Sequence, residues 1–323
     1  MQTILLRLHT QIMADKLDTA AALLSENEAW GRLLVKLQEK YAATGQELDA
    51  YLEGLLYQDY LNYWDYIHTD TLLSLQTTRT QFPDEQIFII YHQISELNFK
   101  MIRSELAQIA ELAEPDEQTL LKRVRRCNRY FENLVSSFDV MSEGMDQDQF
   151  LRFRMALLPA SGFQSAQFRL IEIASTDGWL LVRPDLRGPQ AEQYTPAQVW
   201  EKMYWRQGAT EQTSGAKTLT LRRFEAKYER DFQQAIEQFA ATNLRRQYLK
   251  ATHGNPGPEL KEALLRLDRL VNLEWRLVHL KSAVRYLKQQ PADLPATGGT
   301  NWQRYLPPHF QLNRFFPELG DWA

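Results

Sequence analysis

Between Asp84 and Met101 the chain reads DEQIFIIYHQISELNFKM, and Ile87, Ile90, Ile94, Leu97 and Met101 recur at steps of three and four. That spacing is one face of an α-helix, so it predicts a helix whose apolar stripe seats in a core. His92 falls on a different face, with Phe88 one turn before it and Ser95 and Phe99 one turn after. The helix is therefore expected to be buried on two sides, and a buried imidazole needs a partner. A second stripe, Leu270, Leu273, Leu277, Leu280, Val284 and Leu287, marks a long helix from about Pro258 to Gln289. His279 lies off that stripe, between Trp275 one turn earlier and the small Ser282 and Ala283 one turn later. Small residues beside a histidine leave room for something flat.

Helical periodicity covers most of the remaining chain. It predicts an N-terminal helical arm over residues 1–58 and a helical region from about 60 to 175. Loop signals such as STDGWLLVRPDLRGPQ and GATEQTSGAKT crowd residues 176–218, and periodicity returns in LRRFEAKYERDFQQAIEQFAATNLRRQYL before HGNPGPE breaks it again. Only 14 Gly and 13 Pro punctuate 323 residues, and 44% hydrophobic content is enough for a sizeable core. An all-α protein is expected, with one domain over 59–323 and no repeat of 20 to 50 residues.

A formal charge of −4 gives no general attraction to nucleic acid or anionic membrane. The N-terminal stretch is broken by Arg7, Asp15, Lys16 and Asp18, so it reads as an amphipathic helix rather than a leader, and no apolar run is long enough to span a bilayer. The single cysteine, Cys127, excludes an intrachain disulfide and a cysteine-based zinc site; it fits a cytoplasmic protein. Its neighbours Lys122, Arg123, Arg125, Arg126 and Arg129 read as a solvated basic face, and Cys127 is given no role.

The six histidines are His9, His68, His92, His253, His279 and His309. None forms the spaced pair of a zinc hydrolase, and none has the glutamate three residues earlier that a di-iron bundle requires. His92, Glu96 and His279 offer a two-histidine, one-carboxylate set for iron, although a helical His and Glu four apart are also an ordinary hydrogen-bonding pair. In FLRFRMALLPASGFQSAQFRLIE, Arg154 sits among Phe150, Phe153, Met155 and Leu157, where a guanidinium needs a carboxylate from the protein or from a ligand. Pro159 and Ser161 then read as the start of a helix. The paired glycines of ATGGTN permit close backbone approach to a ligand, or form a plain turn.

Taken together, YWDYIHTDTLLSLQ, DEQIFIIYHQISEL, FLRFRMALLPASGFQSAQFRLIE, EWRLVH with the later ATGG, and FFPEL resemble the tryptophan 2,3-dioxygenase family, in that family's order, over residues about 60–319. The resemblance implies an all-helical haem-dioxygenase domain with an N-terminal helical arm, assembled as a homotetramer, and haem b with ferrous iron in the active state. By it, His279 is the axial ligand of the haem iron, while Trp275 and Ser161 lie by the haem. His92 faces dioxygen and the indole N–H of the substrate. Arg154 pairs with the substrate carboxylate, Thr297 contacts its amino-acid end, Phe88 lines the indole pocket, and Phe150 stands near the carboxylate. Tyr63, Tyr66 and Ile67 match positions that reach into a neighbouring subunit's site. The implied reaction inserts both atoms of O2 across the indole C2–C3 bond of L-tryptophan, giving N-formylkynurenine for the kynurenine pathway.

Phe150 stands where the family usually has a tyrosine, Asn98 replaces a usual tryptophan, and the spacing between His279 and Thr297 is longer, with PADLPATGG in place of basic residues. These departures motivate an alternative, a related haem oxygenase acting on a substituted tryptophan or another aromatic amino acid. A non-catalytic haem-binding protein is the second alternative; a carrier needs neither His92 nor Arg154. A helical nucleic-acid module, suggested by Lys122 to Arg129, conflicts with the acidic net charge.

Overall fold

The computed structural model describes residues 28–43, 45, 62–157, 164–210, 214–288, 302–304, 306–307 and 313–322. Ser161, Thr297 and the ATGG segment lie outside the described residues, as does nearly all of the first half of the expected arm. The chain divides into two compact units, Met1–Leu75 and Gln76–Ala323. In the first, α1 spans Glu28–Ala43, α2 Tyr63–Tyr66 and α3 Thr69–Leu73. The second carries α4 (Asp84–Ala110), α5 (Glu117–Ser137), α6 (Asp139–Ser142), α7 (Gln147–Phe153), α8 (Ala166–Ser175) and α9 (Pro196–Lys202). It continues with α10 (Leu219–Phe239), α11 (Leu244–Thr252), α12 (Pro258–Arg269), a π-turn over Leu270–Glu274, and α13 (Trp275–Leu287). Among the described residues there is no strand, only two isolated bridges, Val182 with Met203 and Thr210 with Lys217. The all-α expectation holds.

Local chemistry explains where these helices begin. Asp116, Asp146, Ser165, Thr218 and Asn243 each accept a backbone N–H from the first turn of the helix that follows, filling a donor the helix cannot. Thr195 and Gln198 form a reciprocal capping box on α9, which starts with Pro196. Ser165 caps the helix after SGFQ; the helix start expected at Pro159 and Ser161 lies outside the described residues.

The core lies where α4, α5, α8 and α12 meet, around fully buried Ile102, Ile109, Val124, Phe131, Ile171, Leu260 and Leu264. Each such side chain contributes roughly 1.5–3 kcal/mol by leaving water. Phe99 joins three elements, its ring 6.1 Å from Phe131, 5.6 Å from Phe168 and 5.9 Å from Trp275. The described residues of 176–218 include short 3-10 turns and α9; Trp200 packs on Phe232 and Trp205 on Phe224 of α10, and Tyr204 is buried beside them in the chain.

The two apolar stripes are corrected by the structure. On α4 the buried face is Tyr91, Ser95, Asn98, Phe99, Ile102, Glu105, Leu106 and Ile109. Ile90, Ile94, Leu97 and Met101 are exposed, at 38%, 41%, 50% and 42%. The stripe is a real apolar face that points away from its own core. On α13 Leu277 and Val284 are exposed while Trp275, Arg276, Ala283 and Tyr286 are buried, because the π-turn shifts the helix phase.

Candidate active site

His92 sits in the third turn of α4. Its Nδ1 lies 2.7 Å from the Phe88 carbonyl oxygen; a carbonyl only accepts, so Nδ1 carries the proton and Nε2 keeps a lone pair. The Phe88 ring stacks against the imidazole at 4.2 Å and continues to Phe150 at 6.5 Å and Phe153 at 5.9 Å. Burial pushes the His92 pKa down, opposed by the Phe88 carbonyl and by the charge of Glu96 one turn later. Glu96 is itself held, since Gln167 of α8 donates to its side chain at 3.0 Å and to its backbone carbonyl at 2.8 Å.

His279 repeats this arrangement on α13. Its Nδ1 donates to the Trp275 carbonyl at 2.6 Å. Its neighbours are rings: Trp275, edge-on at 4.3 Å, and Phe138, at 4.5 Å. Desolvation among them, with a smaller contribution from nearby His92, lowers its pKa to about 4 against the opposing pull of the Trp275 carbonyl. The two imidazoles are thus within electrostatic reach of each other. Both imidazoles are half-buried.

The wall beside His92 continues into α7. Arg154, the first residue of a 3-10 turn after α7, is buried at 4% exposure together with Phe150 and Phe153, and desolvation lowers its pKa. Met155 does not share that setting; it is 60% exposed. Phe150 stacks on Tyr286 of α13 at 4.6 Å, but the Tyr286 hydroxyl donates to the carbonyls of Ser142 and Met145, so it does not stand in for a hydroxyl at position 150. Asp84 joins the walls by accepting the Asp146 N–H at the start of α7 at 2.6 Å.

The structure therefore links His92 through Phe88 to Phe150 and Phe153, with the buried Arg154 next in the chain, and sets His279 against Trp275 and Phe138. Tyr63, Tyr66 and Ile67 belong to the first unit and are exposed, the tyrosines at 72% and 71%. Sequence reading missed Phe138, Gln167 and Asp84. The first carries no periodic signal at a helix junction, and the other two act through contacts 71 and 62 residues away in the chain. Cys127 is fully buried, and desolvation pushes its thiol far above the ordinary range, so it is inert.

Among the described residues no group of three His, Cys, Asp or Glu side chains is placed to hold a bare metal ion, and the set His92, Glu96 and His279 does not form one. An iron already held by a porphyrin needs less. A neutral imidazole whose other nitrogen donates to a backbone carbonyl is the usual wiring of a metal-bound histidine, and His279 has it. The flat apolar surroundings of Trp275 and Phe138 agree, so these residues fit a haem group.

The family model for tryptophan 2,3-dioxygenase matches residues 49–243. The chain is 43% identical over 117 residues to the tryptophan 2,3-dioxygenase of Ruegeria sp. TM1040, covering 36% of this chain and 42% of that protein. The enzyme of Sorangium cellulosum matches at 43% over 124 residues, with 35% and 30% covered. These first alignments span less than half of the relatives' own length. That of Anaeromyxobacter dehalogenans extends much further, at 30% identity over 272 residues, with 81% of this chain and 94% of that protein covered. The chain belongs to the tryptophan 2,3-dioxygenase family.

Proposed function

We propose that the protein is a haem-dependent dioxygenase that inserts both atoms of O2 across the indole C2–C3 bond of L-tryptophan to give N-formylkynurenine, the first step of tryptophan breakdown by the kynurenine route. One observation carries the reading: two half-buried imidazoles within electrostatic reach, each with Nδ1 committed to its own helix, one bordered by the rings of Trp275 and Phe138 and the other flanked by a carboxylate and an aromatic wall. Family membership supplies the reaction.

His279 would hold the iron, because its neighbours are the rings of Trp275 and Phe138, whereas Glu96 stands beside His92. Bound there, haem b in its ferrous form would supply the activation of dioxygen. His92 keeps Nε2 available to accept a hydrogen bond from the indole N–H, and Phe88, Phe150 and Phe153 exclude water and hold the ring flat. Arg154 would receive the substrate carboxylate as a two-pronged donor. Thr297 and Ser161 are assigned to the substrate's amino-acid end and the haem edge from the family pattern alone.

A homotetramer, with Tyr63, Tyr66 and Ile67 serving a neighbouring subunit, agrees with the exposed ridge of Ile90, Ile94, Leu97 and Met101 and with the exposed tyrosines. No helix among the described residues is long and apolar enough to cross a membrane. A reducing cytoplasm agrees with the lone, buried thiol.

The test is direct: reduced, haem-loaded protein receives L-tryptophan and air-saturated buffer while N-formylkynurenine absorbance is followed. Turnover is expected. The packing of Phe150 favours a second reading, a substituted tryptophan or another aromatic amino acid, because no hydroxyl is present at that point of the wall. Haem spectra with turnover of 5- or 6-substituted tryptophans but not of tryptophan would establish it, and haem spectra with no turnover of any would indicate a carrier.

A further inference from the structure

Helix phase is the least expected feature of the site. Along α12 the buried positions are Leu260, Ala263, Leu264, Leu267 and Asp268, followed by Leu270, Val271 and Asn272 in the π-turn, centred on Val271. Continuing from Val271 in steps of about 3.6 residues leads to Glu274 or Trp275, then Val278, then Lys281 or Ser282, then Arg285. Trp275 is buried on either phase, but the other buried positions of α13 are Arg276, Ala283, Tyr286 and Leu287, about one residue later. One residue is about 100° of rotation. An uninterrupted α-helix would therefore aim Val278 where His279 now stands, and would turn Lys281 and Arg285 inward.

A π-turn has weaker hydrogen-bond geometry than an α-turn and persists where something holds it. Here a buried polar ladder spans it. Asp268 and Asn272 have no exposed surface, and Asn272 donates to Asp268 at 2.8 Å. Arg276 donates to Asn272 at 3.3 Å and to the Tyr204 hydroxyl at 2.8 Å. Beyond it, Tyr204 donates to Glu172, which Arg169 also engages at 2.9 Å. At the other end Asp268 accepts the Phe315 N–H at 3.0 Å and Arg314 at 3.2 Å. So much buried polarity costs stability unless it is fully paired, and it sits one turn from an iron-binding histidine.

We infer that Asp268, Asn272 and Arg276 are positioning residues for His279: their ladder holds the π-turn Leu270–Glu274, and the π-turn is what points the imidazole into the site in place of Val278. This rests on the proposed role of His279 as the iron ligand. The residues touch neither iron nor substrate.

A cycle of variants separates positioning from general stability. Full-length wild type, Asn272→Leu, His279→Gly and the double variant are titrated with haem, with and without free imidazole, and the ferrous iron–imidazole stretch is read by resonance Raman. Asn272→Leu should weaken haem binding at least tenfold and move the stretch. In His279→Gly supplied with imidazole, which does not depend on helix phase, the same substitution should change affinity less than twofold. Arg276→Lys, at the ladder's edge, should show a smaller loss with the same pattern. Equal losses in both backgrounds, or no loss in the wild-type background, overturn the inference. So does loss of far-UV helicity in both Asn272→Leu and Arg276→Lys, since the ladder would then hold the fold and not the histidine. A His279→Gly variant that binds haem as wild type does would instead refute the ligand assignment, and the inference with it.

Discussion

The two helices that carry the histidines solve the same problem differently. Each imidazole gives its Nδ1 proton to a carbonyl four residues earlier, so the local wiring is identical. α4 achieves this in an unbroken 27-residue helix anchored at its N-terminus by Glu85 and Asp84, while α13 depends on a π-turn immediately before it. Their surroundings differ as much. Glu96 and Gln167 stand beside His92, whereas His279 meets rings. The same residue type with the same tautomer is thus made into a hydrogen-bonding group on one wall and a candidate iron ligand on the other by what lies within one turn of it.

The sharpest way to break this comparison is to remove each imidazole in turn. His279→Ala should abolish stable haem binding, because in the proposed site it supplies the only protein bond to iron. His92→Ala should retain haem and lose part of the activity, since its role there is a hydrogen bond. Haem content by pyridine haemochrome measures both. If His92→Ala loses haem and His279→Ala keeps it, the two walls have been assigned in reverse.

Protonation offers a second separation, in protein freed of haem. Both folded-state pKa values lie below the ordinary 6.5, that of His279 at about 4, so the unfolded chain binds protons that the folded chain refuses. Stability from this source is complete above pH 6.5 and is lost as pH falls toward 4. For His279 the difference of 6.5 and about 4 amounts to on the order of 3 kcal/mol at most. Thermal melts between pH 7 and 4 should steepen accordingly, and His279→Leu should flatten that limb more than His92→Leu. An equal effect of the two would mean that Glu96 does not distinguish the imidazoles.

How much of this was legible in the sequence depended on the range of the forces involved. Helix starts rest on short-range forces, with Asp116, Asp146 and Asn243 acting on N–H groups three residues away, but periodicity alone did not single these caps out. The histidines stood out because their turns carry Phe88, Trp275 and Ala283. The inward face was not readable: the ridge of Ile90, Ile94, Leu97 and Met101 is as apolar as a core stripe, and periodicity alone does not say whether its own chain covers it. Nor does any residue type announce a π-turn, so the stripe through Leu277 and Val284 was drawn on a straight helix that the chain does not form.

The substrate wall can be tested without touching either histidine. Arg154→Lys keeps the charge but loses the planar fork, so KM for tryptophan should rise about tenfold, equivalent to roughly 1.4 kcal/mol, with haem content unchanged. Tryptamine, which lacks the carboxylate, should be a much poorer substrate of the unaltered enzyme. Equal turnover of tryptamine and tryptophan would remove Arg154 from the site while leaving the iron side intact.

The smallest expected effect concerns what anchors α4. Glu85 has almost no exposed surface and accepts the N–H groups of Arg79 and Thr80, each at 2.8 Å, and the Thr80 hydroxyl at 2.5 Å. Burial alone would raise its pKa; those donors, with the charge of Arg79, reverse the sign and hold it below the ordinary carboxylate range. Glu85→Gln keeps the shape but turns an NH2 toward a donor, which should cost about 1–2 kcal/mol of stability. Because the folded carboxyl is the stronger acid, its contribution is present above the ordinary pKa of 4.5 and lost below it, at the acid end of the histidine window and beyond. Urea midpoints measured at pH 7 and pH 3 should therefore differ less in Glu85→Gln than in wild type, with α13 and haem affinity untouched. A loss of haem affinity comparable to that of Asn272→Leu would show that the two helices are not independently held.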